Sequence, residues 1–527
     1  MRAALAGSGT GARHAGPDVP QIGLVTVRPR RGEDAAHAAR RLAAQPGVES
    51  AQPELRMRLR ELADDPALTL PDPFAGTPAS PLPAQTPLAW PLLREGFPSA
   101  WDVTRGERAL VGVIDTGVDA THPELSPKVD ALVDQQWTLS QGPAGVDADG
   151  HGTHVASIAC AVTGNGAGIA GAGHDCRLVV EKTDLSDASI AAALVDATDR
   201  GVHAINMSFG DDGSRPASVA IKRALQYAAE RDVVLVAAAA DEPVREQGDP
   251  SNVLQPSGTG PDIGAGIGLS VTAAAYDGER APFAGYGSQI SLAAYGTTGA
   301  PGSRPRGIVG AFPANPTRYE QDAAHPCDCR TSIDGDPRYG YLAGTSMAAP
   351  QVAATAAMVR ALNPDMSGRA VVTLLKRTAR RGPGGGWNRD LGWGILDAER
   401  ALASARTTDL RAPLSHVSAN PVAGAIELRW SASDEAPDGV VASGLASVGL
   451  VAVRLRDRHV ELSVRLRPRT RTVVFRGEPG ERYGFVTRAL DRAGNREPRP
   501  RRFDAVLRMP RATAPLSRNG DSAQPRR

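Results

Sequence analysis

Five short runs of almost unbroken apolar residues punctuate the middle of the chain: ALVGVID (109–115), CRLVVEK (176–182), VHAINMSF (202–209), DVVLVAAAA (232–240) and GLSVTAAA (268–275). Strands wetted on one face alternate apolar and polar residues, whereas strands covered on both faces do not. Between and after these runs come HVASIACAV, SIAAALVDATDR, SVAIKRALQYAAER and APQVAATAAMVRAL, whose apolar positions recur at helical spacing. From Trp101 to about Ala403 the alternation predicts an α/β fold, a parallel sheet with helices on each side.

The pattern changes beyond Thr408. IELRW, GLVAVRLR, VELSVRLR, RTVVF and YGFVTRAL alternate apolar with polar residues and are separated by Asp-Gly and Pro-Gly turns, which predicts a small antiparallel β-sandwich. Towards the other end, Ile22 to Val27 reads as a short strand ended by Pro29, Glu33 to Ala44 as a helix, and PGVESAQPEL as extended chain again. These textures divide the chain into a disordered start (1–20), a small α+β module (21–60), a Pro-rich exposed linker (61–95), a parallel-sheet domain (96–404), the sandwich (408–510) and a disordered tail (511–527). A length of 527 residues supports such a division, since domains run to roughly 150 residues.

Composition narrows the function classes. A formal net charge of +1 gives no global attraction to nucleic acid. No apolar run approaches the roughly 18 residues needed to cross a bilayer. The opening MRAALAGSGTGARHAG lacks the apolar centre of a signal peptide, so the chain is either cytoplasmic or exported by a sequence not readable here. Cys160, Cys176, Cys327 and Cys329 match no zinc spacing. Their even number suggests two disulfides, with three connectivities open.

Three segments each place a reactive side chain where a strand ends or a helix begins. In VGVIDTGVDATHPEL, Asp115 closes an apolar strand, where a partly buried carboxylate needs a partner. In DADGHGTHVAS, His151 lies between glycines at a helix start, and His154 follows on the next turn as a packed, structural histidine. The pair lacks the four-residue spacing and intervening Glu of a helical metal site. In GYLAGTSMAAPQVAA, Ser346 sits at the positive end of a helix, with Pro350 in its first turn.

DTGVDATHPEL, HGTHVAS and GTSMAAP, in that order, closely resemble the subtilisin-like serine peptidases over roughly residues 97 to 403. The resemblance implies a subtilisin-like catalytic domain and a serine endopeptidase working through an acyl-enzyme. Ser346 would be the nucleophile, His151 the general base and acid, and Asp115 the group that orients the imidazole. It further implies substrate binding along Ser208, Phe209 and Gly210, an oxyanion site at Asp241 and Thr345, and protein or peptide substrates. No cofactor is needed for catalysis, while a structural calcium is suggested at Glu124, the Val162 carbonyl and Asn165. Residues 21 to 60 resemble the later part of a propeptide inhibitor, so the chain's own N-terminal segment is an expected partner and a secreted, self-processed zymogen the expected form. Residues 408 to 510 resemble a fibronectin type III or immunoglobulin-like module, with Tyr483, Phe485 and Ala489 inward and Asp491 to Asn495 in a turn.

Departures from the family are equally legible. Its usual Gly-Asn pair is Ala240-Asp241 here, and an ionised carboxylate cannot donate to an oxyanion. Three readings stay open: Asp241 acts protonated, the Ser346 N–H and Thr345 hydroxyl suffice, or the enzyme is slow or selective. A different class of protein, a weak pseudo-peptidase that binds peptides, is the alternative. The long segment between Gly299 and Tyr341 is expected to shape the primed side of the cleft. Asp211 and Asp212 resemble the acidic pair of processing peptidases that favour basic residues, and equally resemble solvated turn carboxylates.

Overall fold

A computed structural model describes residues 13–511, apart from 17–18, 31–32, 34, 44, 46–47, 49–50, 52–62, 137–141, 212, 214–217, 300–301, 306, 323–326, 383–384, 438–439, 469–471, 499 and 501. The chain divides into two compact units, Met1–Glu61 and Leu62–Arg527. In the first, strand β1 (Arg13–His14) pairs antiparallel with β2 (Val27–Arg28), and helix α1 spans Ala35–Ala43. The strand expected over Ile22 to Val27 is thus cut to its last residues. Pro20 opens a 3-10 turn, and Gly23 closes it in the left-handed region at φ 69°. Most of PGVESAQPEL, and most of both chain ends expected to be disordered, lie outside the described residues.

The second unit is organised by a seven-stranded sheet. Its strands are β3 (Leu110–Asp115), β4 (Val129–Asp134), β5 (Arg177–Lys182), β6 (Ala204–Met207), β7 (Val234–Ala238), β8 (Gly268–Ala274) and β9 (Leu292–Tyr295). All adjacent pairs are parallel, in the order β4-β5-β3-β6-β7-β8-β9. Each of the five apolar runs supplies one strand. From β6 to β9 every strand residue is buried, as helices on both faces require.

The helices of this unit are α2 (Trp90–Arg94), α3 (Phe97–Trp101), α4 (His151–Cys160), α5 (Asp187–Asp199), α6 (Val219–Ala229), α7 (Ser251–Leu254), α8 (Arg318–Gln321), α9 (Thr345–Leu362), α10 (Gly368–Thr378) and α11 (Ala398–Thr407). Helix α9 is central: all but three of its residues are buried, and small alanines let it lie close to the sheet. Disulfide Cys160–Cys176 ties the end of α4 to the approach to β5, and Cys327–Cys329 closes the Cys-Asp-Cys triplet.

Residues 63 to 95 are not an exposed linker. Leu68, Leu82 and Trp90 are each at most 2% exposed, and Ala67 N–H donates to the Gly168 carbonyl. The Trp90 ring meets Tyr276 and Tyr295 edge-on. The prolines shape turns, and the apolar residues between them fill the main core. The Gly299–Tyr341 segment is likewise built in. It contains β10 (Ile308–Ala311), β11 (Arg330–Ile333) and most of β12 (Asp336–Leu342), an antiparallel sheet in the order β10-β12-β11.

The C-terminal module packs two antiparallel sheets. One is β13 (Leu414–Val422), β14 (Ala425–Ser433) and β17 (Thr472–Phe475). The other joins β15 (Leu445–Arg454), β16 (Val460–Leu466), β18 (Arg482–Asp491) and β19 (Ala505–Arg508) in the order β16-β15-β18-β19. Tyr483, Phe485 and Ala489 are fully buried between them, against Trp430 and Phe475. Asn363 fastens the join between modules by donating to the carbonyls of Ala405 and Thr408.

If residues 63 to 95 belong to the core, Trp90→Ala will lower stability by about 3–5 kcal/mol in denaturant unfolding. A surface linker would give a change within about 0.5 kcal/mol.

Candidate active site

Asp115 is the last residue of β3, and only 2% of its side chain is exposed. Its Oδ1 accepts from the Thr116 N–H at 2.8 Å and lies 2.8 Å from His151 Nδ1. Its Oδ2 is buried with no hydrogen-bond partner among the described residues. A buried carboxylate needs donating neighbours, and here they are the Thr116 N–H and the imidazole.

His151 is held there by the way α4 starts. Gly150 takes φ 91°, and a Cβ on it would stand 2.4 Å from the Thr317 side chain; a Cβ on Gly152 would stand 2.1 Å from the Gly117 carbonyl. Asp147 accepts from Gly150 N–H, Thr153 N–H and the hydroxyls of Thr116 and Thr153, so one buried carboxylate satisfies the helix start. Sequence reasoning passed over Asp147, although an acidic residue just ahead of a helix start is the available signal.

Burial would lower the pKa of His151. The Asp115 charge and hydrogen bond overcome that, Asp149 and Asp147 add to them, and the ring is pushed up to about 9. His154 contrasts with it. Burial brings its pKa down to about 3, and its Nε2 lies 3.2 Å from the Gly340 carbonyl, so it is the neutral, packed histidine expected.

Ser346 lies in the first turn of α9, and its Oγ donates to the Ser208 carbonyl at 3.0 Å. In return Ser208 Oγ donates to the Ser346 carbonyl at 2.8 Å. These bonds tie the exit of β6 to the start of α9. Among the described residues no hydrogen bond joins Ser346 Oγ to His151, so the carboxylate–imidazole half of the expected triad is hydrogen-bonded and the serine half is not. Ser208 is buried, Phe209 packs against the core on one side of the sheet, and Gly210 is exposed.

Asp241 follows β7 and faces the same helix start. Its Oδ1 accepts from the Thr345 N–H at 2.7 Å and lies 2.9 Å from Thr345 Oγ1, which is itself 2.6 Å from the Ala239 carbonyl. Thr345 has one hydroxyl hydrogen. That hydrogen serves either Ala239 or Asp241, and the Thr345 N–H serves Asp241 in both cases. Burial raises the Asp241 pKa, against the Thr345 donors and the nearby His151, which lower it. The residue as a whole is open to solvent, which limits the size of that rise.

The Gly299–Tyr341 segment buttresses α4. Arg318 pairs with Asp149 at 3.0 Å, and Ala311 N–H donates to Ser157 Oγ. The carboxylate of Asp211 accepts from the N–H groups of Gly213 and Asp249, so it shapes a turn; Asp212 lies outside the described residues.

At the suggested calcium residues, Glu124 Oε2 is buried with no hydrogen-bond partner among the described residues, whereas the other side-chain oxygens are already engaged. Glu124 Oε1 accepts from Ile169 N–H and Tyr339 Oη, and Asn165 Oδ1 accepts from Ala167 N–H. The loop turns the N–H groups of Gly164 and Asn165 onto Asp65, which presents donors where a cation needs oxygens.

The His151–Asp115 pair fixes a sign for stability against pH. The folded-state pKa of His151 is raised, so its contribution is complete below its ordinary value of 6.5 and is lost as pH rises through about 9. Thermal melts should therefore separate the natural chain from Asp115→Asn most widely near pH 6 and least at the alkaline end of that window. A separation that grows with pH would contradict the assignment.

Residues 106–394 match the model of the subtilase family. Fervidolysin of Fervidobacterium pennivorans is 31% identical over 320 residues, covering 57% of this chain and 42% of its own. The thermophilic serine proteinase of Bacillus sp. (strain AK1) is 32% identical over 271 residues, covering 49% of this chain and 54% of its own. The chain thus spans about half the length of these relatives. A solved structure of proteases from Pseudoalteromonas arctica PAMC 21717 aligns with 66% of this chain and 100% of its own, at 25% identity and a TM-score of 0.49. With more than half of its residues matched by the family model, the chain belongs to the subtilase family.

Proposed function

We propose that the chain is a serine endopeptidase that cuts protein or peptide substrates through an acyl-enzyme. The observation that carries this reading is the 2.8 Å contact between His151 Nδ1 and Asp115 Oδ1 in a subtilase whose Ser346 opens the neighbouring helix α9.

Asp115 holds the Nδ1–H tautomer and leaves Nε2 free to take a proton. Rotation of Ser346 away from the Ser208 carbonyl frees its hydroxyl. His151 takes the hydroxyl proton as Oγ attacks the scissile carbonyl, then returns it to the leaving amine. The oxyanion draws on the Ser346 N–H at the α9 start and on a protonated Asp241. Gly210, exposed beyond β6, offers backbone to an extended substrate. No step calls for a cofactor, and calcium has no part in it. Residues 21 to 60 act as the propeptide, in keeping with the separate compactness of residues 1–61. Secretion is proposed with the zymogen form.

A fluorophosphonate probe applied between pH 5 and 9 tests the reading. Labelling should fall on Ser346, vanish in Ser346→Ala, and drop on the order of 10⁴-fold in rate in Asp115→Asn. A natural chain that folds but takes no label would instead favour a peptide-binding pseudo-peptidase.

The two titrating groups make opposite demands. His151 must be neutral to act as base, while Asp241 must be protonated to donate, so turnover should rise with pH and then fall. Asp241→Asn should remove the fall and raise turnover at neutral pH, up to the roughly 10²–10³-fold that an oxyanion donor supplies in subtilisin itself. Unchanged or lower turnover would show that Asp241 does not limit catalysis.

A further inference from the structure

The C-terminal module is unusually basic for a chain of net charge +1. Residues 408–511 contain 19 arginines, no lysine and 12 carboxylates. Four of these arginines, Arg465, Arg488, Arg496 and Arg502, line one groove of about 480 Å³ on the outward face of the β16-β15-β18-β19 sheet.

Register explains the groove. Gly449 on β15 pairs with Arg465 on β16 and with Arg488 on β18, so two arginines flank a residue without a side chain in one cross-strand row. Adjacent strands lie about 4.8 Å apart, so the gap between those two arginine positions is about 10 Å. A Cβ built on Gly449 touches only the Arg488 carbonyl, at 3.5 Å. The next row along these two strands is Val451 and Val486, and the row on the other side brings Ser447 beside Leu490. The chain between β18 and β19 closes the groove with Arg496, Arg502 and the 38%-exposed ring of Phe503.

No Asp or Glu is among the described residues lining this groove, and none of Arg465, Arg496 and Arg502 has an ion pair among the described residues. Arg488 Nε donates to the Glu497 carbonyl and keeps its terminal nitrogens for a ligand. Arginine presents a planar fork that matches a carboxylate, and a row of forks with no carboxylate lining beside it selects an anion. The valines, Leu490 and Phe503 select apolar surface beside it. A polysulfated sugar would meet the charges and waste the apolar floor.

We propose that this groove is a docking site for an acidic peptide segment, one in which carboxylates alternate with apolar side chains, with a carboxylate seated over Gly449 between Arg465 and Arg488. The site lies on the β-sandwich, apart from the His151–Ser346 region, and does not depend on the peptidase reading.

The test uses the full chain carrying Ser346→Ala, so that no probe is cut, and a fluorescein-labelled octapeptide of alternating Asp and Leu read by fluorescence anisotropy. Binding should weaken at least about tenfold in Arg465→Glu, which removes charge from an exposed strand, and equally in Gly449→Leu, which fills the groove and leaves every arginine. Added salt should weaken it as well. Absence of binding, or binding indifferent to both substitutions, would overturn the proposal. So would groove-dependent binding of a sulfated octasaccharide with none of the peptide.

Discussion

One buried hydrogen bond organises the functional half of this protein. Asp115 ends a strand buried over its last five residues, and its Oδ2 has no donor among the described residues. The carboxylate is held by the Thr116 N–H and by the His151 ring, and the ring reaches it only because α4 starts where it does. That start is constrained from three sides. Gly152 passes too near the Gly117 carbonyl for any side chain, Asp147 gathers the loose N–H groups, and Thr317 presses on Gly150. Much of the β10–β12 segment reads as support for this helix, since it contacts α4 at His154 and Ser157 and the turn before it at Asp149.

The same region carries an electrostatic tension. Asp241 stands where a neutral amide is usual in the family, and its Oδ1 takes the Thr345 N–H while the Thr345 hydroxyl lies between that oxygen and the Ala239 carbonyl. The proposed donor role needs a proton on Asp241, whereas a neutral His151 requires that protons be scarce. In the proposed enzyme both conditions must hold in the same molecule. Low occupancy of that state, and not the absence of a catalytic group, is then the natural limit on its rate.

Much of this was legible in the residues, for identifiable reasons. Continuous apolar runs marked β3, β5, β6, β7 and β8 because strands covered twice leave no polar positions to obscure them. β4 was missed because VDALVD sits at the sheet edge with alternate residues exposed, and β9 because LAAY is short and alanine-rich. Asp115, His151 and Ser346 stood out through their local strings; Asp147 did not, since its partners are assembled only by the turn. Proline content suggested a linker at 61 to 95, yet composition says nothing about where Leu68, Leu82 and Trp90 point. The surroundings of the suggested calcium residues were hidden for a related reason. Glu124 and Asn165 have the right side chains, but the loop faces them with N–H groups. The groove on the sandwich was invisible because only strand register puts Gly449 between two arginines.

The contact between His151 and Asp115 can be observed directly by low-field proton NMR at pH 6. The proton shared by Nδ1 and Oδ1 should give a resonance far downfield of the amides, retained in Ser346→Ala and lost in both Asp115→Asn and His151→Ala. A folded protein with no such resonance, or one that survives Asp115→Asn, would contradict the arrangement on which the account is built.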